Sequence, residues 1–192
     1  MPSPRIAPLQ PPYSPEIAES LAKWMPPGAA TEPLQLFRTI VRHPELSSRL
    51  RGLGAGILGR QSSIAPRERE ILIDRTCALC GCEYEWGVHA AAFGAAAGLS
   101  PEALRATAAG SPADAVWSER DALLLRLADE LHHTARVSDE LWSELAARWD
   151  APQLLELLTI AGFYHLIAYL ANGARVALEP WAARFPLHSD RV

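Results

Sequence analysis

From Leu34 onward the apolar residues recur at intervals of three and four. Leu34, Phe37, Ile40 and Val41 make one stripe, closed by Pro44, and Leu46, Leu50, Leu53 and Ile57 make a second, weakened by four nearby glycines. Pro66 opens RERE-ILIDRTCALC, with Ile71, Leu72 and Leu79 on its apolar side, and Gly81 ends or bends it. Further helices are expected over Glu83–Gly98, from the Ser100-Pro101-Glu102 start signal, and over Ser118–Leu131, Ser138–Trp149 and Pro152–Arg175. No stretch alternates with period two in Val, Ile and Thr, so strands are not expected. The pattern predicts an all-α protein of seven to nine helices, a compact bundle. The final helix is apolar nearly all round, which calls for burial at the centre or against another subunit.

The first 33 residues break this pattern. They hold nine of the sixteen prolines, which excludes one continuous helix because proline lacks an amide donor and clashes with the preceding turn. Ser14-Pro15-Glu16 still marks a short helix, to about Lys23, before a break at Met25-Pro26-Pro27-Gly28. The division expected is a proline-rich arm over 1–33, a helical domain over 34–179 and a tail over 180–192. Such an arm either packs over a neighbouring subunit or frays.

Composition narrows the function classes. The apolar fraction is 49% and the net charge −4, which suits a globular domain. No basic block or stacking ladder points to nucleic acid. No secretory leader and no membrane span is read, so a cytoplasmic protein is expected.

Chemistry concentrates in CALCGCEYEWGVH, residues 77–89, which holds all three cysteines and His89. Zinc is a poor expectation, because three thiols within six residues lack the paired spacing of a structural site; no metal and no cofactor are expected. Cys82 follows Gly81 and opens a helix, where the dipole and a nearby imidazole would favour a thiolate. Two helical turns separate it from His89, with Glu85 between them on the same face. Cys77 and Cys80 read as small hydrophobes ending the previous helix. Glu70 is either part of the site or half of a surface ion pair, and Glu85–His89 either functional or a plain i,i+4 pair. Tyr84 and Trp86 read as packing, His165 as a satisfied buried histidine, His132-His133 as a helix-end pair, and Asn172 as a cap or an inter-subunit hydrogen bond.

RERE-ILIDRT (67–76), GCEYEWGVH (81–89) and AAGLSPEAL (96–104) resemble the carboxymuconolactone decarboxylase family, which includes alkylhydroperoxidase D. SERDALLLRLADEL, SDELW and LLELLTIAGFYHLIAYLAN resemble its longer members, so the resemblance spans about Leu34 to Glu179. It implies an all-helical homo-oligomer (dimer, trimer or hexamer). In the peroxidase branch a glutamate lies twelve residues before a C-x-x-C-x-x-x-H motif, which maps to Glu70, Cys82 and His89. Glu85 stands where the second, peroxide-attacking cysteine would be.

Two chemistries follow from the resemblance. One is a peroxidase-related oxidoreductase using Cys82, a Glu70–His89 proton relay and a thiol electron donor. The other is cofactor-free decarboxylation or isomerisation of a small lactone or keto acid by Glu70, Glu85 and His89. A third expectation is a helical oligomer that binds a small molecule without catalysis.

Overall fold

The computed structural model describes residues 3–25 and 32–186; most of the expected break at 25–28 and the last six residues of the tail lie outside them. Among the described residues there are nine helices and no strand: α1 Pro15–Ala22, α2 Gln35–Ile40, α3 Pro44–Leu58, α4 Pro66–Leu79, α5 Glu83–Ala92, α6 Pro101–Ala109, α7 Glu119–Thr134, α8 Asp139–Ala146 and α9 Ala151–Ala174. Each start signal works as the sequence implies. Ser14, Ser100, Ser118, Ser138 and Asp150 accept from a backbone amide in the first turn of their helices.

α4 sits at the centre, packed against α5, α6, α7 and α9. It is an unusual core helix, because Glu68, Arg69, Glu70, Asp74 and Thr76 are buried alongside Ile71, Leu72, Ile73 and Cys77. Its charges are largely met by partners on neighbouring helices. Arg67 reaches Asp121, Glu68 reaches Arg120, and Arg75 grips Asp129 with two nitrogens while also donating to the Thr107 and Gly110 carbonyls. Burying such pairs is tolerable only when their remaining donors are satisfied, as Arg75 illustrates.

The α4–α5 connection controls the chemistry. Gly81 takes φ +59°, where a side chain would be strained. The Gly81 amide then donates to the Ala78 carbonyl (2.9 Å), and the Cys82 amide to the Cys77 carbonyl (2.8 Å). This is the Schellman arrangement, in which the residue after the glycine turns inward on the helix it has just left.

α5 is shorter than the expected Glu83–Gly98. It stops at Ala92, and the chain turns through Gly94, where an added Cβ would lie 2.6 Å from the Ala90 carbonyl oxygen and 3.0 Å from Leu104. Close approach of α6 ends the helix, which an alanine-rich sequence does not announce.

α9 is long and apolar enough to cross a membrane by length and composition. Leu157, Ile160, Tyr164, Ile167, Ala168 and Ala171 are buried in the core, while Leu155 and Tyr169 on the opposite side are each 66% exposed.

The described parts of the arm and of the tail pack back on their own chain. The arm donates from the Arg5 amide to the Ala174 carbonyl and from the Leu9 amide to the Arg38 carbonyl, and Arg42 reaches the Ala7 carbonyl. The segment after α9 is equally committed. Buried Glu179 accepts from the Tyr84 hydroxyl and the Gln35 amide, and the Ala183 amide donates to the Gly87 carbonyl. A Cβ on Gly87 would fall 2.2 Å from the Ala183 carbonyl oxygen. Gly87→Ala is therefore expected to destabilise the protein by roughly 1–3 kcal/mol, seen as a lower denaturant midpoint.

Candidate active site

Four side chains from three helices meet beside a cavity of about 480 Å³ that three of them line. Glu70 comes from α4, Glu85 and His89 from successive turns of α5, and Tyr164 from α9. His89 Nδ1 lies 2.7 Å from Glu70 Oε2, and its Nε2 lies 3.1 Å from the Tyr164 hydroxyl and 3.6 Å from Glu85 Oε1. Arg69 closes the far side, donating through Nε to Glu70 Oε1 at 3.1 Å. The result is a line of alternating groups: guanidinium, carboxylate, imidazole, carboxylate. Glu85, His89 and Tyr164 line the cavity, whereas Glu70 and Arg69 stand behind the ring.

Burial is the largest influence on His89 and opposes its charge. The hydrogen bond the ring donates to Glu70, and the negative charges of Glu70 and Glu85, outweigh it and hold the ring at about 10. Burial likewise pushes Glu70 up, but the hydrogen bond and charge of His89, with help from Arg69, bring it below its ordinary value. At neutral pH this pair is imidazolium and carboxylate. Asp74 lies near them with no hydrogen-bond partner for either oxygen, and burial pushes it well up, which favours its neutral form. Glu85 Oε2 is also buried without a partner. A carboxylate oxygen with a free lone pair thus sits beside an imidazolium, which is the equipment for taking a proton at one atom and giving one at another.

The cysteines stand elsewhere. Cys82 is not within the helix but is its N-cap, with φ −91° and ψ 76°, so the two-turn phase to His89 does not apply to it. Its side chain is fully buried, does not line the cavity and makes no hydrogen bond to His89. The expectation of a dipole-activated thiolate is therefore reversed. Burial pushes this thiol up to about 12, with the Tyr84 and Glu85 amides only partly opposing and the Glu85 charge adding to the rise. Cys77 is pushed well up by the same cause. In native protein only half-buried Cys80 is expected to react readily with a small disulfide reagent, the other two thiols appearing on unfolding. Fast native labelling of Cys82 would contradict this.

Other readings resolve simply. Glu70 is buried and pairs with Arg69 and His89, so it is not half of a surface ion pair. Tyr84 and Trp86 are packing residues with satisfied polar atoms, the latter through Thr107. Asn172 donates to the Cys80 carbonyl at the end of α4. Tyr164 was not among the expected site residues, because a tyrosine in an apolar run looks like any core aromatic.

Residues 44–130, which carry Glu70, Glu85 and His89, match the model of the carboxymuconolactone decarboxylase family. These central helices belong to the carboxymuconolactone decarboxylase family. No curated protein matches the chain by sequence. Solved structures show that the carboxymuconolactone decarboxylase segment sits in an AhpD-like all-α fold. An uncharacterised peroxidase-related protein from Silicibacter sp. TM1040 is similar at a TM-score of 0.77 and 15% identity, over 97% of this chain and 100% of that one. A protein of unknown function from Agrobacterium tumefaciens, suggested to be the antioxidant defence protein AhpD, reaches 0.65 at 18% identity over 72% and 93%. The debrominase Bmp8, in a cysteine-to-alanine variant complexed with 2,3,4-tribromopyrrole, reaches 0.69 at 15% identity over 91% of each chain. Tyr164 and the cavity residues Trp24 and Trp181 lie outside the family match, on α9, the arm and the tail.

Proposed function

We propose that this protein is a cofactor-free acid–base enzyme that moves a proton at a carbon next to the carbonyl of a small organic acid or lactone. The observation that carries the reading is the sharing of one cavity wall by Glu85 and His89, with Cys82 buried away from it. Glu85 acts as the base and draws a proton from the carbon. The His89 imidazolium donates to the carbonyl oxygen, where negative charge develops. Glu70 touches no substrate; it holds the ring charged and oriented through Nδ1. For decarboxylation the carboxylate leaves as carbon dioxide, its electron pair enters the carbonyl, and the carbon is then reprotonated from the same pair of groups.

The cavity supports such a substrate. Its walls are mainly apolar, with Trp24, Phe37, Phe93 and Phe163 among them, and Arg51 and Lys23 on the lining offer cations to a carboxylate. Thiol redox chemistry is the reading suggested by what the structural neighbours are called. It needs Cys82 as a thiolate in contact with substrate, and burial works against both requirements. The test is solvent exchange: small enolisable keto acids and lactones are incubated with the protein in deuterium oxide and followed by proton NMR. Enzyme-dependent deuterium uptake next to the carbonyl, or carbon dioxide release, supports the proposal. Its absence across the panel, together with hydroperoxide turnover lost in Cys82→Ser, would replace this reading with the thiol one.

A further inference from the structure

On the other side of Tyr164, α9 presents a second cluster that the cavity chemistry does not use. His165 Nε2 lies 3.1 Å from His132 Nδ1 of α7, and His132 Nδ1 lies 3.9 Å from the sulfur of Cys80, the C-cap of α4. All three atoms fall within 4.8 Å of one another. We propose that Cys80, His132 and His165 form a binding site for one thiophilic divalent cation of the zinc class.

The spacing fits such an ion. Ordinary zinc–sulfur and zinc–nitrogen lengths in a tetrahedron place sulfur and nitrogen about 3.6 Å apart and two nitrogens about 3.3 Å apart. The observed 3.9 and 3.1 Å need only small rotations to meet those values. One thiolate with two imidazoles is a donor set that selects zinc over magnesium or calcium, which prefer oxygen.

The surroundings orient the ligands. His165 Nδ1 donates to the Ala161 carbonyl at 2.9 Å, which leaves Nε2 with its lone pair facing the cluster. Asn172 donates to the Cys80 carbonyl at 2.9 Å and holds the end of α4 in place. Without metal a single proton bridges the two histidine nitrogens. The ion replaces that proton, which moves to His132 Nε2 through solvent, and the Cys80 thiol proton goes to bulk water. All three residues are half-buried, so an ion has a way in and a fourth position for water. No sequence spacing reveals the site, because its ligands lie on three helices that meet only in the fold.

The experiment uses the full chain after chelator treatment, loaded with cobalt(II) and separately with zinc(II). Wild type is expected to take up one equivalent of zinc after desalting and to show a thiolate-to-cobalt charge-transfer band. Zinc should shield Cys80 from a disulfide reagent. Cys80→Ser should lose the band, and His132→Gln or His165→Gln should weaken binding by about tenfold or more. His133→Gln, an exposed neighbour, should leave binding unchanged. If Cys80→Ser does not fold, wild type alkylated at Cys80 in the native state takes its place. The proposal is overturned if wild type gives no thiolate band, if the band survives loss of Cys80, or if both histidine variants bind as wild type does.

Discussion

Glu85→Gln is expected to slow proton transfer at the substrate carbon by roughly 10²–10⁴-fold, the range seen when a positioned general base is removed. Glutamine keeps the shape and can still contact His89, but it offers no basic oxygen in place of the unpartnered Oε2. The Michaelis constant should change little, because Arg51 and the aromatic wall still hold the substrate. His89→Gln should give a comparable loss by removing the donor to the carbonyl oxygen. Cys82→Ser is the contrasting control. Serine is a better N-cap than cysteine, so α5 keeps its start, and the rate should be essentially unchanged. A rate that falls with Cys82 and survives loss of Glu85 would sink the acid–base assignment.

How much of this was visible in the sequence depends on the range of the interaction. Helix starts were legible because Ser14, Ser100, Ser118 and Ser138 act on amides three residues away, while the last helix, expected from Pro152, starts one residue earlier behind its cap Asp150. Glu85 and His89 were legible for the same reason, four residues apart on one helix. Glu70 needed the family register to link it to a ring nineteen residues downstream. The failures are all tertiary. Cys82 looked like a helix residue in phase with His89, but the Gly81 turn makes it a cap and sends its sulfur into the core. The arm was expected to pack over a neighbouring subunit or to fray, and nothing local tied it or the tail to the site, yet they contribute Trp24 and Trp181 to the cavity. Tyr164 is joined to His89 across 75 residues, and no local pattern marks it.

These sources also divide the labour of the site. Glu70, Glu85 and His89, the residues proposed to handle protons, fall within the family match, whereas several residues that shape the cavity come from the arm, α9 and the tail.

The second large effect concerns stability against pH. In an unfolded chain His89 titrates near 6.5, whereas in the fold it is held at about 10. Between these values the native state keeps a proton that the unfolded state has released. The stability contributed by this group is therefore complete below pH 6.5 and is lost as pH rises toward 10. Glu70 acts in the opposite direction, contributing above its ordinary value of 4.5 and losing that contribution as pH falls below it. Buried Asp74, pushed well above its ordinary value, already imposes a decline from about pH 4 upward, and His89 should add a further fall on the order of 1 kcal/mol per pH unit through the mildly alkaline range. The buried thiols Cys77 and Cys82 add a similar decline only near and above their ordinary value of 9, so the decisive window runs from 6.5 to about 8.5. Denaturant midpoints of wild type should slope downward there, and those of His89→Gln, though lower throughout, should slope less steeply by the His89 share. Parallel slopes in the two proteins would mean that His89 is not held as an imidazolium, and the proton donor to the carbonyl oxygen would have to be sought in another group, with Tyr164 the nearest.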